Sequence, residues 1–268
     1  MDIDPRDFAD SMTRWIHVVA GILWIGLLFF FNWVNSAFAP TMDAETKKKV
    51  VPELLPRTLY WFRWGAAFTW LSGVILLGLV YYMHEGAGKD PFQMFGAEGG
   101  WNAGGIAMIA LTFVAVIGYD ALYKTGFKKP PIGFLGGWAL ASVIVILFKV
   151  VGDFTFRAQA IHLGAMFGTF MAFNVWMRIW PAQRKIITAI KNGEKPDGDL
   201  AALAGLRSKH NTYMSVPLVF AMLSQHSTWA APIGDDFNKT FLYLPAVILV
   251  GWLATYALYA QAKRVKGF

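Results

Sequence analysis

Residues 15–42, WIHVVAGILWIGLLFFFNWVNSAFAPTM, form a run of 28 residues without Asp, Glu, Lys or Arg. A membrane-crossing helix needs roughly 20 consecutive, mostly apolar residues, so this run is long enough to cross a bilayer. Further uncharged runs of similar length lie at 64–84, 99–119, 130–148, 158–177, 210–234 and 240–262. The pattern predicts an all-α, polytopic membrane helical bundle with about seven transmembrane helices.

The composition of the whole chain points the same way. Its 268 residues are 56% hydrophobic and only 15% charged, with a mean hydropathy of +0.44, whereas soluble domains carry about 25% charged residues. We expect residues 1–268 to form a single transmembrane domain, and Asp199–Arg207 (DLAALAGLR) to form a separate short helix at the membrane surface. The predicted spans lie near 15–39, 64–84, 100–119, 131–148, 158–177, 211–228 and 240–262.

The distribution of charge predicts the orientation of the bundle. When the loops are assigned alternately to two sides, the side of the N-terminus holds six Lys and Arg residues and the other side holds eighteen. Cytoplasmic loops of membrane proteins are enriched in Lys and Arg. The N-terminus is therefore predicted to be periplasmic and the C-terminus cytoplasmic. The net charge of +7 reflects this topology, and we expect the lipid bilayer, not nucleic acid, to be the partner of the basic face.

The absence of cysteine excludes several cofactors. With no Cys in the chain, there is no thiolate for an iron–sulfur cluster and no Cys-x-x-Cys-His motif for c-type haem. A haem or metal ion must therefore be held by His, Met or oxygen ligands.

The five histidines are the most informative residues. On the predicted topology, His17, His84, His162 and His226 lie at the depth of the outer leaflet, and His210 lies near the inner face. Ionisable side chains within membrane spans are by default candidates for function, and imidazoles from two helices suit haem iron. We predict one or two b-type haems near the outer face, with His17 and His162 as the axial ligands.

The neighbours of these histidines suggest how a haem is accommodated. His17, Gly21 and Trp24 follow one another at i, i+4 and i+7, so they share a helix face on which the glycine leaves room for a flat macrocycle. Two other readings of the histidines stay open: a copper or zinc site built from the same four side chains, and a purely structural role. An inner polar patch is also predicted, with no mechanism attached, from Asn32, Asn35, Asp120, His210, Asn211 and Tyr213.

Two segments resemble a known family. RWIHVVAGILWIGLLFFFNWVN (14–35) and RSKHNTYMSVPLVFAMLSQH (207–226) are similar to signatures of the membrane-bound, cytochrome c-linked urate oxidases (urate hydroxylases), and the resemblance covers their N-terminal membrane domain. It implies oxidation of urate to 5-hydroxyisourate, a step of purine catabolism, at the bacterial inner membrane. The matching positions His17, His210 and His226 would carry function.

The resemblance also sets expectations about the site and its partners. The C-terminal cytochrome c domain of that family is absent from this sequence, so the electrons would pass to a separate cytochrome c or another respiratory-chain acceptor. We expect His84 and His226 to form a second ligand pair or to act as the base near the substrate, with Arg157 binding the anionic substrate or a haem propionate. The alternatives are a non-catalytic haem-binding subunit of a respiratory complex and a copper- or metal-handling protein, either of them as a homo- or hetero-oligomer.

Overall fold

The computed structural model describes residues 4–83, 94–96, 100–125, 127, 129–227 and 237–266. The part of the chain within these ranges confirms the all-α class: its ordered elements are helices, and an isolated bridge joins Phe95 to Phe154. The long helices are labelled α1 (Pro5–Phe29), α2 (Ala44–Leu77), α3 (Ala103–Lys124), α4 (Pro130–Val150), α5 (Phe156–Phe173), α6 (Trp180–Asn192), α7 (Gly198–Ser224) and α8 (Phe237–Ala262).

Among the described residues, six helical segments are long and apolar enough to cross a membrane, as in a multi-pass membrane protein. They are 5–41, 44–82, 103–124, 131–150, 156–192 and 241–262. The remaining predicted span, 211–228, overlaps α7. This helix is long enough to cross a membrane but is more polar than the other six segments, and its Asn211, Thr212 and Ser215 lie fully buried. The predicted separate helix at 199–207 is wrong, since those residues are the continuous beginning of α7. The orientation across the membrane stays a prediction.

Helix α5 occupies the centre of the bundle. In the most apolar window of its span, 61% of the residues are buried, against 17–33% in the other five spans. Helix α7 packs along α5, the pair α1 and α2 packs on one side of them, and α3, α4 and α8 pack on the other. Side chains on opposite faces of α5 therefore face two different halves of the bundle.

Within the described part of the chain, three helices end in π-helical segments. Phe30–Asn35 extends α1, Gly78–Tyr82 extends α2 and Asn174–Ile179 extends α5. Such segments are frequent at functional sites because the extra residue per turn redirects side chains. Each of the three carries a buried polar residue, namely Asn32, Tyr81 and Asn174.

The buried carboxylate of Asp120 binds three cationic side chains where α3, α5 and α7 meet. Asp120 accepts from Arg178 Nε at 3.0 Å and from Arg207 Nη2 at 2.8 Å, and Lys124 Nζ lies 2.7 Å from it. The Arg207 side chain is only 1% exposed, and its Nε and Nη1 have no hydrogen-bond partner in the described ranges. Asp120 is therefore the counter-charge that makes burial of this arginine tolerable.

Substitution of Asp120 by Asn is expected to destabilise the bundle by about 3–5 kcal/mol, the cost of leaving a buried charge without its partner. The measurement is the thermal unfolding midpoint in detergent. Asp153→Asn is the matched control, because the Lys149–Asp153 pair is partly exposed and such pairs contribute about 1 kcal/mol or less. Equal midpoints for the two variants would contradict the role assigned to Asp120.

Candidate functional site

A cavity of about 560 Å³ opens between α1, α2, α5 and α7. We call it the His17 cavity. Its volume lies within the range of small-molecule and cofactor pockets. Its walls include two imidazoles, one arginine, two indoles and several glycines, contributed by Arg14, His17, Gly21, Trp24, Trp70, Gly73, Gly164, Gly168 and His226. The sequence-predicted group His17, Gly21 and Trp24 therefore does face one cavity.

The hydrogen bonds around His17 fix which of its nitrogens carries the proton. Its Nδ1 lies 3.1 Å from Ser72 Oγ, and the Ser72 hydroxyl donates its proton to the carbonyl oxygen of Phe68 at 2.6 Å. Ser72 therefore accepts from His17 Nδ1–H, which leaves the lone pair on Nε2. No described residue bonds this Nε2. A metal-ligating histidine is oriented in this way, through a bond from its other nitrogen.

Two further features fit a flat cofactor beside His17. A Cβ on Gly73 would stand 3.0 Å from His17 Cε1, so only glycine at this position leaves space for the imidazole. Trp24 is 2% exposed, and its indole Nε1 has no partner among the residues that the structure describes. A buried orphan donor is costly, and an acceptor on a bound group would remove that cost. The residues present therefore fit a haem.

His226 lies at the exposed rim of the His17 cavity, two residues beyond the end of α7. The preceding residue, Gln225, accepts from Tyr81 Oη through its side chain and from Arg157 Nη1 through its main-chain carbonyl. These contacts tie the end of α7 to the beginning of α5. They place the Arg157 guanidinium next to the main chain that carries His226.

His162 lies outside the set of residues that line this cavity. Its side chain is fully buried and its ring packs against Phe154, with the ring centroids 4.7 Å apart. Its Nδ1 donates to the Ala158 carbonyl at 2.7 Å, so its Nε2 accepts from Tyr82 Oη at 2.9 Å. Both nitrogens are thus occupied. The structure does not bring the predicted ligands His17 and His162 to one cavity, and the contacts favour His17 alone as the prepared ligand.

Other predicted positions have different outcomes. His84 lies outside the described residues. Within the described ranges, no group of three or more His, Asp or Glu side chains is placed to hold a metal ion, so the copper or zinc reading has no site there.

A second cavity, of about 750 Å³, lies on the other side of α5. We call it the His210 cavity, and it is bounded by α3, α4, α5, α7 and α8. His210 Nδ1 lies 2.9 Å from Tyr119 Oη, which accepts from Asn174 Nδ2 at 2.8 Å. Of the predicted inner polar patch, His210 and Asn211 join this network, Asp120 binds the arginines, and Asn32 bonds Ser208 and Tyr259.

Several residues that shape both sites were missed from the sequence. Ser72 orients His17, and Tyr82 hydrogen-bonds to Nε2 of His162. Tyr119 and Asn174 together orient His210. Asn174 had a signal, since it is an uncharged polar residue inside a predicted span. Serine and tyrosine are too common in spans to be singled out without the fold.

Comparison with known proteins assigns the chain to a protein family. The family model described as urate oxidase N-terminal matches residues 5–50 and 42–266. The chain belongs to the urate oxidase N-terminal family. No curated protein and no solved structure matches it. The family recognised from residues 14–35 and 207–226 is thereby confirmed at the level of a urate oxidase-related membrane protein, and the cytochrome c-linked subtype stays a prediction.

Membership in the urate oxidase N-terminal family gives the two cavities a chemical context. A urate-related oxidoreductase needs a place where a planar, anionic purine loses electrons and protons, and a route by which the electrons leave. The His17 cavity, with its oriented imidazole and its exposed His226, is the candidate for the first of these.

Proposed function

We propose that this chain is a haem b oxidoreductase of the bacterial inner membrane, which oxidises urate to 5-hydroxyisourate at a site facing the periplasm. One observation carries the proposal: His17 Nδ1–H is held by Ser72, so Nε2 presents its lone pair within a glycine-walled cavity whose rim holds His226. Haem b, when bound there, supplies a centre that takes up electrons one at a time.

The residues of the chain divide the remaining work. His17 holds the iron, and Ser72 keeps its imidazole in the required tautomer. Trp24 and Arg14 line the same cavity and offer donors to carboxylate or carbonyl oxygens. A Cβ on the cavity-lining Gly26 would meet nothing within 4 Å, so this position leaves room for a flat ring.

His226 is assigned the role of the base. Conversion of urate to 5-hydroxyisourate takes up one water and releases two electrons and two protons. An exposed imidazole at the rim of the cavity is placed to act as the general base. Arg157, bonded to the adjacent main chain, provides a positive charge that favours the urate anion. The electrons then leave for a respiratory acceptor outside this chain, such as a separate cytochrome c.

The visible spectrum of the purified chain tests this proposal. We expect b-type bands that urate reduces in the absence of oxygen, and an increase in 5-hydroxyisourate when an electron acceptor is supplied. Bands that dithionite reduces and urate does not would contradict the enzyme and favour a non-catalytic haem-binding subunit. Intact protein without haem would contradict the cofactor, and metal analysis would then test the copper reading.

A further inference from the structure

The His210 cavity has the features of a site for a ligand that arrives from the bilayer. Its lining includes Leu140, Leu253 and Tyr256, which are 42%, 53% and 66% exposed. These residues lie on the apolar segments 131–150 and 241–262. The mouth of the cavity therefore opens through the side of the bundle, where a lipophilic ligand has access.

The interior of this cavity is aromatic as well as apolar. Tyr123, Phe134 and Trp252 line it, and the Tyr123 ring stands 4.3 Å from the His210 ring, measured between centroids. Aromatic walls favour a planar ring that packs against them. An acyl chain would fill the volume equally well, so the polar group decides between the two.

A chain of hydrogen bonds fixes the tautomer of His210. Asn211 Nδ2 donates to the Met171 carbonyl at 3.0 Å, which leaves Asn211 Oδ1 to accept from Asn174 Nδ2 at 2.8 Å. The same Nδ2 donates to Tyr119 Oη, so the tyrosine proton points to His210 Nδ1. Because a main-chain carbonyl can only accept, every step of this chain has one direction.

The consequence is an oriented imidazole donor at the cavity. With Nδ1 accepting from Tyr119, the neutral imidazole of His210 carries its proton on Nε2. No described residue bonds this Nε2. Lys209, Tyr213 and Tyr256 also line the cavity. An apolar, aromatic cavity with an oriented N–H donor matches a carbonyl oxygen on a flat ring that carries a long apolar tail.

We propose that the His210 cavity binds the ring of an isoprenoid quinone, with His210 Nε2–H donating to one carbonyl oxygen, and that this quinone is the electron acceptor. The redox part rests on the proposed function. Urate and water give 5-hydroxyisourate, two electrons and two protons, and the quinone takes two electrons and two protons to become the quinol. Cytochrome c is then reduced downstream by a quinol-oxidising complex.

The two cavities are placed for such a transfer. Gly164 and Gly168 of α5 line the His17 cavity, and Phe167 and Phe170 of the same helix line the His210 cavity. The width of one α-helix, about 10–12 Å, therefore separates the two cavity walls at α5. Along the bundle, His210 and His226 lie sixteen residues apart, roughly 24 Å at the rise of an α-helix.

Equilibrium binding of decylubiquinone to the full chain in nanodiscs tests the site without urate. We expect saturable binding that His210→Phe weakens by about tenfold, the value of one hydrogen bond, and that Tyr119→Phe also weakens. Gly118→Leu is the second variant: a Cβ at this cavity-lining glycine meets nothing within 4 Å, so the position has room for a larger side chain, and we expect a leucine there to narrow the cavity and weaken binding.

Gly26→Leu is the matched control, because Gly26 has equally open surroundings but lines the His17 cavity. Its quinone affinity is expected to equal that of the wild type. Equal binding by all variants, or binding no greater than that of lipid-only nanodiscs, would overturn the inference and indicate a cavity filled by lipid. Quinone binding without reduction by urate would contradict the proposed function alone, and reduction by urate without quinone binding would contradict this inference alone.

Discussion

Replacement of His17 by Ala is expected to remove haem from the protein almost completely while the bundle remains folded. No described residue bonds His17 Nε2, and Ser72 fixes the tautomer of this imidazole. Its side chain is only partly buried, near the middle of α1, so truncation removes little core packing. The measurement is the ratio of the b-type absorption band to protein absorbance after purification in detergent.

Ser72→Ala is expected to weaken haem binding without abolishing it. Without the Ser72 oxygen, His17 Nδ1 loses its acceptor and the imidazole its orientation. Loss of such a partner typically costs 10–100-fold in metal affinity, so we expect haem that dissociates on dilution, not haem that is absent. Full haem occupancy in His17→Ala would falsify the assignment of His17.

His162→Phe is the matched control for His17. The phenylalanine ring keeps the packing against Phe154 and gives up only the bonds to Ala158 and Tyr82. We expect the haem band to persist. Loss of haem in this variant, with His17→Ala unaffected, would restore His162 as the ligand and require Tyr82 to move away from it.

The helices could be predicted from the sequence where their physics is local. The run at 15–42 needs only its length and lack of charge to be interpreted as a membrane helix, and the helical segment 5–41 covers all of it but the last residue. Length and lack of charge are not enough to identify α7, because its polar residues pack against other helices of the protein. Asn211 is satisfied by Asn174 and by the Met171 carbonyl, contacts that exist only once α5 and α7 are paired.

The site was predictable in its residue types and only partly in their grouping. Spacing along one helix placed His17, Gly21 and Trp24 on a common face. The depth of a histidine in the membrane, however, says nothing about the direction in which its ring points. His162 has the depth of a ligand, but the aromatic residues around it and Tyr82, eighty residues distant in sequence, hold it in the core.

His226→Ala is expected to lower the rate of urate oxidation by a factor of about 10²–10⁴, the usual contribution of a general base, with haem content unchanged. The imidazole stands at the exposed rim of the His17 cavity, so its loss removes the proton acceptor and leaves His17 in place. The check is urate-dependent reduction of the b-type band by stopped-flow. Because the position is open to water, imidazole added to the medium is expected to restore part of the rate, which a purely structural role would not allow. Loss of haem from His226→Ala would instead make this residue a second axial ligand, and an unchanged rate would remove it from the mechanism.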